Sequence, residues 1–233
     1  MFTDKKHLFF DLDHTIWDFD KNAEETLQEL YKKYKFQQLF NSSSPDRFIE
    51  AYTLNNHRLW NLYHHGQIDK TTLRHLRFAD TFSQLGVDPN LFPTAFENDY
   101  LEICPTKTNL FPHAHETLTY LKEKYQMHLI SNGFKEACEK KLAHSNLYQY
   151  FENIVISELI GINKPDPRIF QHALQLGIAH KDQSLMIGDN IDADVRGAIN
   201  AGIDAIYFNP NQVEKPADIH YMIKDLAELQ EIL

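Results

Sequence analysis

The chain has 233 residues, of which 42% are hydrophobic and 24% charged, a composition typical of a globular protein rather than a disordered or fibrous one. Its formal net charge of −10, without a basic block, makes a nucleic-acid polymer or an anionic membrane surface a poor partner. Two cysteines, the absence of a signal-peptide pattern and the absence of a long apolar stretch predict a cytoplasmic protein without a membrane anchor.

The first predicted element is a buried strand at residues 7–12, an apolar and aromatic run that ends in acidic residues. From residue 18 to about residue 104 the pattern becomes helical, with apolar side chains three and four residues apart. Helices are predicted at 23–34, from about 45 to 63, and at 70–85, where Gly86 ends the last of them. This stretch is therefore predicted to be a helical domain.

From about residue 111 onward, predicted helices and strands alternate. Strands are predicted at 127–133, 153–157, 184–189 and 204–208, and helices at 113–125, 135–145, 167–176, 193–201 and 221–232. Such alternation is typical of an α/β fold, a doubly wound parallel sheet of the Rossmann-like kind. Since the first strand precedes the helical stretch, we expect a core of residues 1–17 and 105–233 and an inserted helical cap of residues 18–104.

Polar side chains capable of chemistry follow the predicted strands of the core. They are Asp11 and Asp13 after the first strand, Ser131 at the end of the second, Lys164 after the third and Asp189 at the end of the fourth. Ligands of an open parallel sheet bind at the carboxyl ends of its strands. We therefore expect these side chains, distant in sequence, to converge on one edge of the sheet.

The chemistry of such a cluster is constrained by its charges. Carboxylates packed together repel one another unless a cation lies between them, and oxygen ligands of this kind suit Mg²⁺. The amides near Asn132 and Gly133 precede a predicted helix, and helix N-termini favour phosphate. An aspartate can act as a covalent nucleophile and form an aspartyl-phosphate. The pattern predicts Mg²⁺-dependent phosphoryl transfer.

Four motifs, DLDHT, SNG, KPDP and GDNIDADVRGA, occur in that order at predicted strand ends. Together with the helical insert after the first strand, they resemble the haloacid dehalogenase superfamily of aspartate-nucleophile hydrolases with a helical, C1-type cap. The resemblance covers the core, and it implies a hydrolase of that fold with a Mg²⁺ cofactor.

The resemblance implies a role for each motif residue. Asp11 is the expected nucleophile, and Asp13 the acid that protonates the leaving group and then the base that activates water. Ser131 is expected to hydrogen-bond the phosphoryl group, and Lys164 to balance its charge and hold Asp11. The metal ligands implied are Asp11, the backbone carbonyl of Asp13, and Asp189.

Two further implications concern Asp194 and the class of substrate. Asp194 is expected to support the lysine and the metal's waters rather than bind the ion itself. Family members that cleave carbon–halogen bonds or phosphonates lack an acid at the position of Asp13. A leaving alkoxide must be protonated, so this residue points to phosphate esters.

Within the family, the chain resembles the pyrimidine 5′-nucleotidase type of phosphatase, which acts on a small nucleotide. The grounds are DLDHTIWDFDKNA, followed by the helical cap, and the cap segment DKTTLRHLRFADTF. Asn132, Gly133, Trp17, Arg74 and Arg77 are accordingly the candidate substrate-binding residues. For Trp17 the alternative is packing at the hinge, and for the two arginines it is a solvated surface.

Three other functions share many of these residues. A sugar-phosphate phosphatase and a phosphomutase use the same acids, and net release of inorganic phosphate excludes the mutase. A phospho-accepting, receiver-like signalling domain also combines an acid cluster, a hydroxyl and a lysine on a doubly wound sheet. It needs neither a helical insert nor an acid two residues after its acceptor, which favours the enzyme.

Overall fold

Six parallel strands form one sheet in the computed structural model, which describes residues 2–233 apart from the side chain of Pro89. They are β1 (His7–Phe10), β2 (Gln126–Ser131), β3 (Asn153–Ile156), β4 (Ser184–Gly188), β5 (Asp204–Phe208) and β6 (Met222–Ile223). Their order is β3-β2-β1-β4-β5-β6, so the direction of winding reverses at β1. This reversal is the topological switch point at which such sheets bind ligands, and it confirms the predicted doubly wound α/β class.

The chain divides into two compact units, one formed by the residues up to Phe19 together with Thr108–Leu233, the other by Asp20–Lys107. These boundaries lie close to those expected for the core and the cap. The second unit is helical, and its helices are α1 (Phe19–Lys33), α2 (Phe36–Leu39), α3 (Asp46–His64), α4 (Lys70–Gln84) and α5 (Thr94–Ile103).

Aromatic rings fill the interior of the helical unit. Phe36 and Phe78 each pack against Phe96, with ring centroids 5.2 and 5.1 Å apart, and all three rings are fully buried. Edge and stacked contacts of this kind add to the free energy gained from burial alone. The phenylalanine richness of the insert therefore serves its own core.

The sheet-bearing unit carries the remaining helices. These are α6 (Ala114–Lys122), α7 (Lys135–His144), α8 (Ser157–Ile160), α9 (Pro167–Leu176), α10 (Gly197–Asn200) and α11 (Leu229–Ile232). Helix α9 begins where its sequence predicts, because Pro167 occupies the first turn and the Asp166 side chain accepts a hydrogen bond from the Arg168 amide at 2.9 Å. A π-helix, Ile191–Arg196, replaces the first part of the helix predicted at 193–201.

The helix predicted at residues 221–232 is wrong over its first half. Met222 and Ile223 instead form β6, and the Tyr207 amide donates to the Tyr221 carbonyl at 2.9 Å. A capping box of Asp225 and Glu228 starts the helical turn only after this strand. The apolar spacing suited a helix, but backbone pairing with β5 prevails. Within residues 2–233, the helices are all too short or too polar to cross a membrane.

Candidate active site

The turn after β1 brings two acidic side chains to the edge of the sheet. The Asp11 amide donates to the Ile187 carbonyl of β4 at 3.0 Å, which continues the sheet pairing by one residue. The chain then folds back, because the Trp17 amide donates to the Leu12 carbonyl at 2.8 Å and the His14 amide to the Trp17 carbonyl at 2.9 Å. Asp13 lies inside this turn.

A buried lysine joins the acids at the ends of the strands. Lys164 Nζ lies 2.5 Å from Asp11 Oδ1 and 2.7 Å from Asp194 Oδ1, and it donates to the Ile130 carbonyl of β2 at 2.7 Å. One oxygen from each of Asp11, Asp189 and Asp194 falls within a set whose members all lie within 4.8 Å of one another. The structure thus brings together the predicted acids and lysine from three distant parts of the sequence.

The electrostatics of the cluster show an excess of negative charge. Burial raises the pKa of Asp11 to about 7, although Lys164 opposes the rise. Burial, followed by the charges of Asp194 and Asp11, raises the pKa of Asp189 well above its usual value. Burial lowers the pKa of Lys164, but the adjacent Asp11 and Asp194 carboxylates outweigh this effect and raise it above the ordinary lysine value. The lysine is therefore charged, and its ammonium contacts both Asp11 and Asp194.

The cluster has the donors that a divalent cation requires. Three carboxylates face one ammonium, and Asp189 is held at one oxygen by the Thr15 hydroxyl, which donates to Asp189 Oδ1 at 3.2 Å. Mg²⁺ prefers oxygen ligands and supplies the positive charge that Lys164 alone does not. The residues present thus fit the predicted ion.

The loop after β2 is tied to the lysine by its side chains. Asn132 Nδ2 donates to the Lys164 carbonyl at 2.9 Å, and the Lys164 amide donates to Asn132 Oδ1 at 2.8 Å. The Gly133 amide donates to Ser131 Oγ at 3.0 Å. These bonds give Asn132 a positioning role beside the substrate-binding one predicted for it. They also place the Ser131 hydroxyl at the edge of the sheet.

Two glycines of the motifs are required by close packing. A Cβ atom on Gly188 would lie 2.4 Å from Asp194 Oδ2, and one on Gly133 would lie 2.6 Å from Cys138 Sγ. The Asn190 amide donates to Asp194 Oδ2 at 3.0 Å and completes the support of that carboxylate. Burial raises the pKa of the Cys138 thiol to about 12, so this cysteine is an unreactive packing group.

A second buried lysine contacts the other acid of the first motif. Lys141 Nζ lies 2.5 Å from Asp13 Oδ1 and 4.4 Å from the centre of the Trp17 ring. Sequence analysis did not single out Lys141. Lys141 lies with Cys138 and Leu142 on one buried face of α7, and the helical spacing alone does not show which side chains that face contacts.

The candidate substrate-binding residues outside the motifs occupy different environments. Trp17 is fully buried, which favours the packing alternative over direct contact with a ligand. Arg77 is 3% exposed, and its guanidinium stacks on the rings of Phe78 and Tyr100, at 5.0 and 4.9 Å, inside the helical unit. Arg74 is half-buried on the same helix. The expectation of a solvated surface is thus wrong for Arg77.

Comparison with known proteins agrees with this geometry. The chain is 32% identical over 229 residues, 97% of its own length and 96% of the relative's, to the pyrimidine 5′-nucleotidase YjjG of Escherichia coli. It is 31% identical over 230 residues to the pyrimidine 5′-nucleotidase PynA of Streptococcus pneumoniae, covering 96% of this chain and 94% of that protein. The chain is thus similar along nearly its whole length to two enzymes of this type.

Solved structures show the same fold. The HAD-hydrolase YfnB of Bacillus subtilis, solved with magnesium bound, superposes with a TM-score of 0.85 at 25% identity, covering 98% of each chain. L-2-haloacid dehalogenase of Xanthobacter autotrophicus superposes with a TM-score of 0.75 at 16% identity, covering 98% of each chain, which shows a shared fold alone.

The family profile settles the class of protein. The haloacid dehalogenase-like hydrolase profile matches residues 5–202, which include all four motifs and the helical unit. The predicted superfamily and the prediction of an enzyme are thereby confirmed. The chain belongs to the haloacid dehalogenase-like hydrolase family.

Proposed function

We propose that the chain is a Mg²⁺-dependent phosphomonoesterase that works through an aspartyl-phosphate on Asp11. The observation that carries the proposal is the buried contact of 2.5 Å between Lys164 Nζ and Asp11 Oδ1 inside the cluster of carboxylates. This contact engages one oxygen of the aspartate with Lys164 and leaves Oδ2 for attack on phosphorus. A buried, oriented carboxylate beside a fixed positive charge is what covalent phosphoryl transfer requires.

The carboxylates of Asp11 and Asp189 and the backbone carbonyl of Asp13 would hold the ion. When bound, Mg²⁺ neutralises negative charge on the transferring phosphoryl group. Lys164 contributes a second positive charge to the same end, since its ammonium is held in place by Asp11 and Asp194 before any substrate arrives. Preorganised charge of this kind stabilises the transition state without reorganisation at the moment of reaction.

The first half-reaction transfers the phosphoryl group to the protein. Asp11 Oδ2 attacks phosphorus, the bond from phosphorus to the ester oxygen breaks, and Asp13 donates its proton to that oxygen. The product alcohol leaves, and the Asp11 side chain carries the phosphoryl group as a mixed anhydride. The Ser131 hydroxyl hydrogen-bonds the phosphoryl oxygens. The Lys164 ammonium, whose three protons go to Asp11, Asp194 and the Ile130 carbonyl, balances their charge.

The second half-reaction regenerates the nucleophile. Asp13, now a carboxylate, takes a proton from a water molecule while the oxygen of that water attacks phosphorus. The bond from phosphorus to the Asp11 oxygen breaks, and inorganic phosphate is released. Asp13 is protonated again and Asp11 is again a carboxylate, so the cycle closes without a further reactant.

The substrate class we propose is a nucleoside 5′-monophosphate with a pyrimidine base. The two nucleotidases described above support it, since each is similar to the chain over at least 94% of its own length. A sugar-phosphate phosphatase is the second candidate, because the glyceraldehyde 3-phosphate phosphatase of Methanothermobacter thermautotrophicus is 28% identical over 98% of this chain. The two cysteines are buried and form no disulfide, which supports a reducing, cytoplasmic setting for either activity.

A panel of phosphate esters tests the function. Release of inorganic phosphate from pyrimidine nucleotides, purine nucleotides, hexose phosphates and glyceraldehyde 3-phosphate would be measured with Mg²⁺ and with a chelator. We expect the pyrimidine nucleotides to have the highest kcat/KM and the chelator to abolish turnover. Full activity in chelator would contradict the metal role, and preference for a sugar phosphate would replace the nucleotidase assignment.

The side chains that choose among these esters are proposed to lie outside the four motifs, because the motif residues contact phosphate and metal only. Arg74→Ala is therefore expected to change the ratio of kcat/KM between pyrimidine and hexose substrates directly. Trp17→Ala and Arg77→Ala are expected to change it by shifting the side chains that pack against these two buried residues. Loss of one buried contact changes such a ratio by roughly 10- to 200-fold. Unchanged ratios in all three variants would remove these residues from the set that determines specificity.

A further inference from the structure

A charged contact links Asp13 to a residue outside the four motifs. Lys141 Nζ lies 2.5 Å from Asp13 Oδ1, and the Lys141 side chain is 6% exposed against 22% for Asp13. The ammonium lies over the Trp17 ring at 4.4 Å and near the Phe19 ring at 5.2 Å. A lysine is almost never this deeply buried unless it is paired. The aromatic faces attract the cation and add to its attraction to the carboxylate.

The position of Lys141 is fixed by the helix that also supports Ser131. Cys138 and Lys141 lie three residues apart on the buried face of α7, and Cys138 Sγ lies 3.5 Å from Ser131 Oγ. Side chains with this spacing occupy neighbouring places on one helix face. One rigid element therefore places a group beside the phosphoryl-binding hydroxyl and another beside Asp13.

Each acid of the first motif thus has its own buried lysine. Lys164 lies at 2.5 Å from the nucleophile Asp11, and Lys141 at the same distance from Asp13. The first pair sits among further carboxylates, whereas Lys141 is backed by aromatic rings. Lys141 lies on α7 and Lys164 in the turn before α9, so the two acids can be oriented independently.

We propose that Lys141 is a positioning residue that holds the Asp13 carboxyl group in the orientation needed for proton transfer. The inference rests on the proposed function, in which Asp13 protonates the leaving oxygen and then activates water. A proton donor must lie within hydrogen-bond reach of the atom it serves, and a misplacement of about 1 Å can cost about 100-fold in rate. Loss of Lys141 therefore affects turnover rather than substrate affinity.

The test uses full-length protein with Mg²⁺ and two esters. A pyrimidine nucleoside 5′-monophosphate has an alkoxide leaving group that needs its proton, and 4-nitrophenyl phosphate has one that needs it less. We expect Lys141→Met to lower kcat about 100-fold on the nucleotide, less on the aryl ester, with little change in KM. Lys141→Arg keeps the charge and should recover most of the loss. Lys140→Met, on the same helix, is the matched control and should resemble wild type.

A double-variant cycle separates positioning from a general structural effect. In the Asp13→Asn background, Lys141→Met should cost little further kcat, because the group that it positions is already absent. Melting temperatures in Mg²⁺-free buffer give a readout independent of turnover. The effects of the two substitutions on melting temperature should be non-additive, since each removes the same contact between Lys141 and Asp13. If Lys141→Met does not fold, Lys141→Gln replaces it throughout.

Several results would overturn the inference. They are wild-type kcat in Lys141→Met, equal losses on both esters accompanied by a raised KM, additive losses of kcat in the cycle, and additive shifts in melting temperature. The second of these would make Lys141 a phosphate-binding group. Wild-type protein that releases phosphate from neither ester would refute the proposed function and the positioning role with it, while the melting cycle would still measure the ion pair.

Discussion

Replacing Asp11 with asparagine is expected to abolish turnover and, at the same time, to stabilise the metal-free protein. Burial raises the pKa of Asp11 from the ordinary 3.8 to about 7, even with Lys164 at 2.5 Å. At about 1.4 kcal/mol for each pH unit, the ionised side chain costs the folded state about 4 kcal/mol. Asparagine keeps the shape of the side chain, and its carbonyl oxygen can still accept from Lys164, whose ammonium remains paired with Asp194.

The sign of the pH dependence follows from proton uptake. Between pH 3.8 and about 7, the folded chain binds the Asp11 proton more tightly than the unfolded chain does. The free energy of unfolding of the wild type therefore falls as pH rises through this window and levels off above it. The advantage of Asp11→Asn should be near zero at pH 4 and largest at pH 8.

The assay is urea unfolding of wild type and Asp11→Asn in chelator at a series of pH values, with phosphate release measured on the same samples. The upper limit for the gain at pH 8 is about 4 kcal/mol. Adding Mg²⁺ should raise the stability of the wild type more than that of the variant, because a ligand stabilises the state that binds it. Asp182→Asn, whose side chain is 68% exposed, is the control and should stay within about 0.5 kcal/mol of wild type.

A variant that is less stable than wild type at every pH would refute the reasoning, because it would mean that the paired carboxylate stabilises the fold. A gain in stability that does not change between pH 4 and pH 8 would also refute it, since the effect would not come from ionisation. Turnover near the wild-type rate would remove Asp11 as the nucleophile whatever its stability.

Three further predictions concern other parts of the core. Asp13→Asn should lower phosphoenzyme formation about 100- to 10,000-fold for a nucleotide and less for 4-nitrophenyl phosphate, measured in the burst phase; equal losses would count against a role as the acid. Gly188→Ala should lower the melting temperature and reduce kcat about 100-fold, since its Cβ would lie 2.4 Å from Asp194 Oδ2; wild-type kcat would contradict the packing argument. Burial lowers the pKa of His128 from 6.5 to about 4, so the folded chain binds this proton less tightly than the unfolded chain does. The free energy of unfolding of the wild type should therefore fall by about 2 kcal/mol on going from pH 8 to pH 5. His128→Gln should remove this part of the pH dependence of stability measured by urea unfolding. A pH profile identical to that of the wild type would contradict the contribution assigned to His128.

The parts of the site that could be predicted from sequence are those set by the sheet. Strand ends in a parallel sheet meet at one edge, so Asp11, Ser131 and Asp189 follow from the strands alone. The 2.7 Å contact of Lys164 with the Ile130 carbonyl shows why this lysine is not a solvated loop residue. The prediction that Lys164 belongs to the site came from the order of the motifs, since the residues around it have no strand or helix pattern of their own.

The parts that could not be predicted depend on how one element docks on another. Lys140 and Lys141 are adjacent and chemically identical, and only the docking of α7 decides which ammonium faces Asp13. The β6 strand is equally non-local, since Met222 and Ile223 carry a helical spacing that the unpaired edge of β5 overrides. Local pattern fixes neither outcome, because both are decided by contacts between residues distant in sequence.

Fold alone does not select the chemistry in this family, since the dehalogenase of Xanthobacter autotrophicus shares the architecture at a TM-score of 0.75. A halide leaves as a stable anion and needs no proton, whereas an alkoxide must receive one before it can depart. In the proposed mechanism, the feature that separates the two reactions is an acid beside the leaving group, and Asp13 is proposed to be that acid. The contact of Asp13 with Lys141, which itself lies over Trp17, is separate from the contact of Asp11 with Lys164. The surroundings of the two motif acids differ, as do the roles proposed for them. Asp11 is enclosed by charge, whereas Asp13 is held from one side and open at 22% of its side-chain surface, where a leaving oxygen and then a water molecule can reach it.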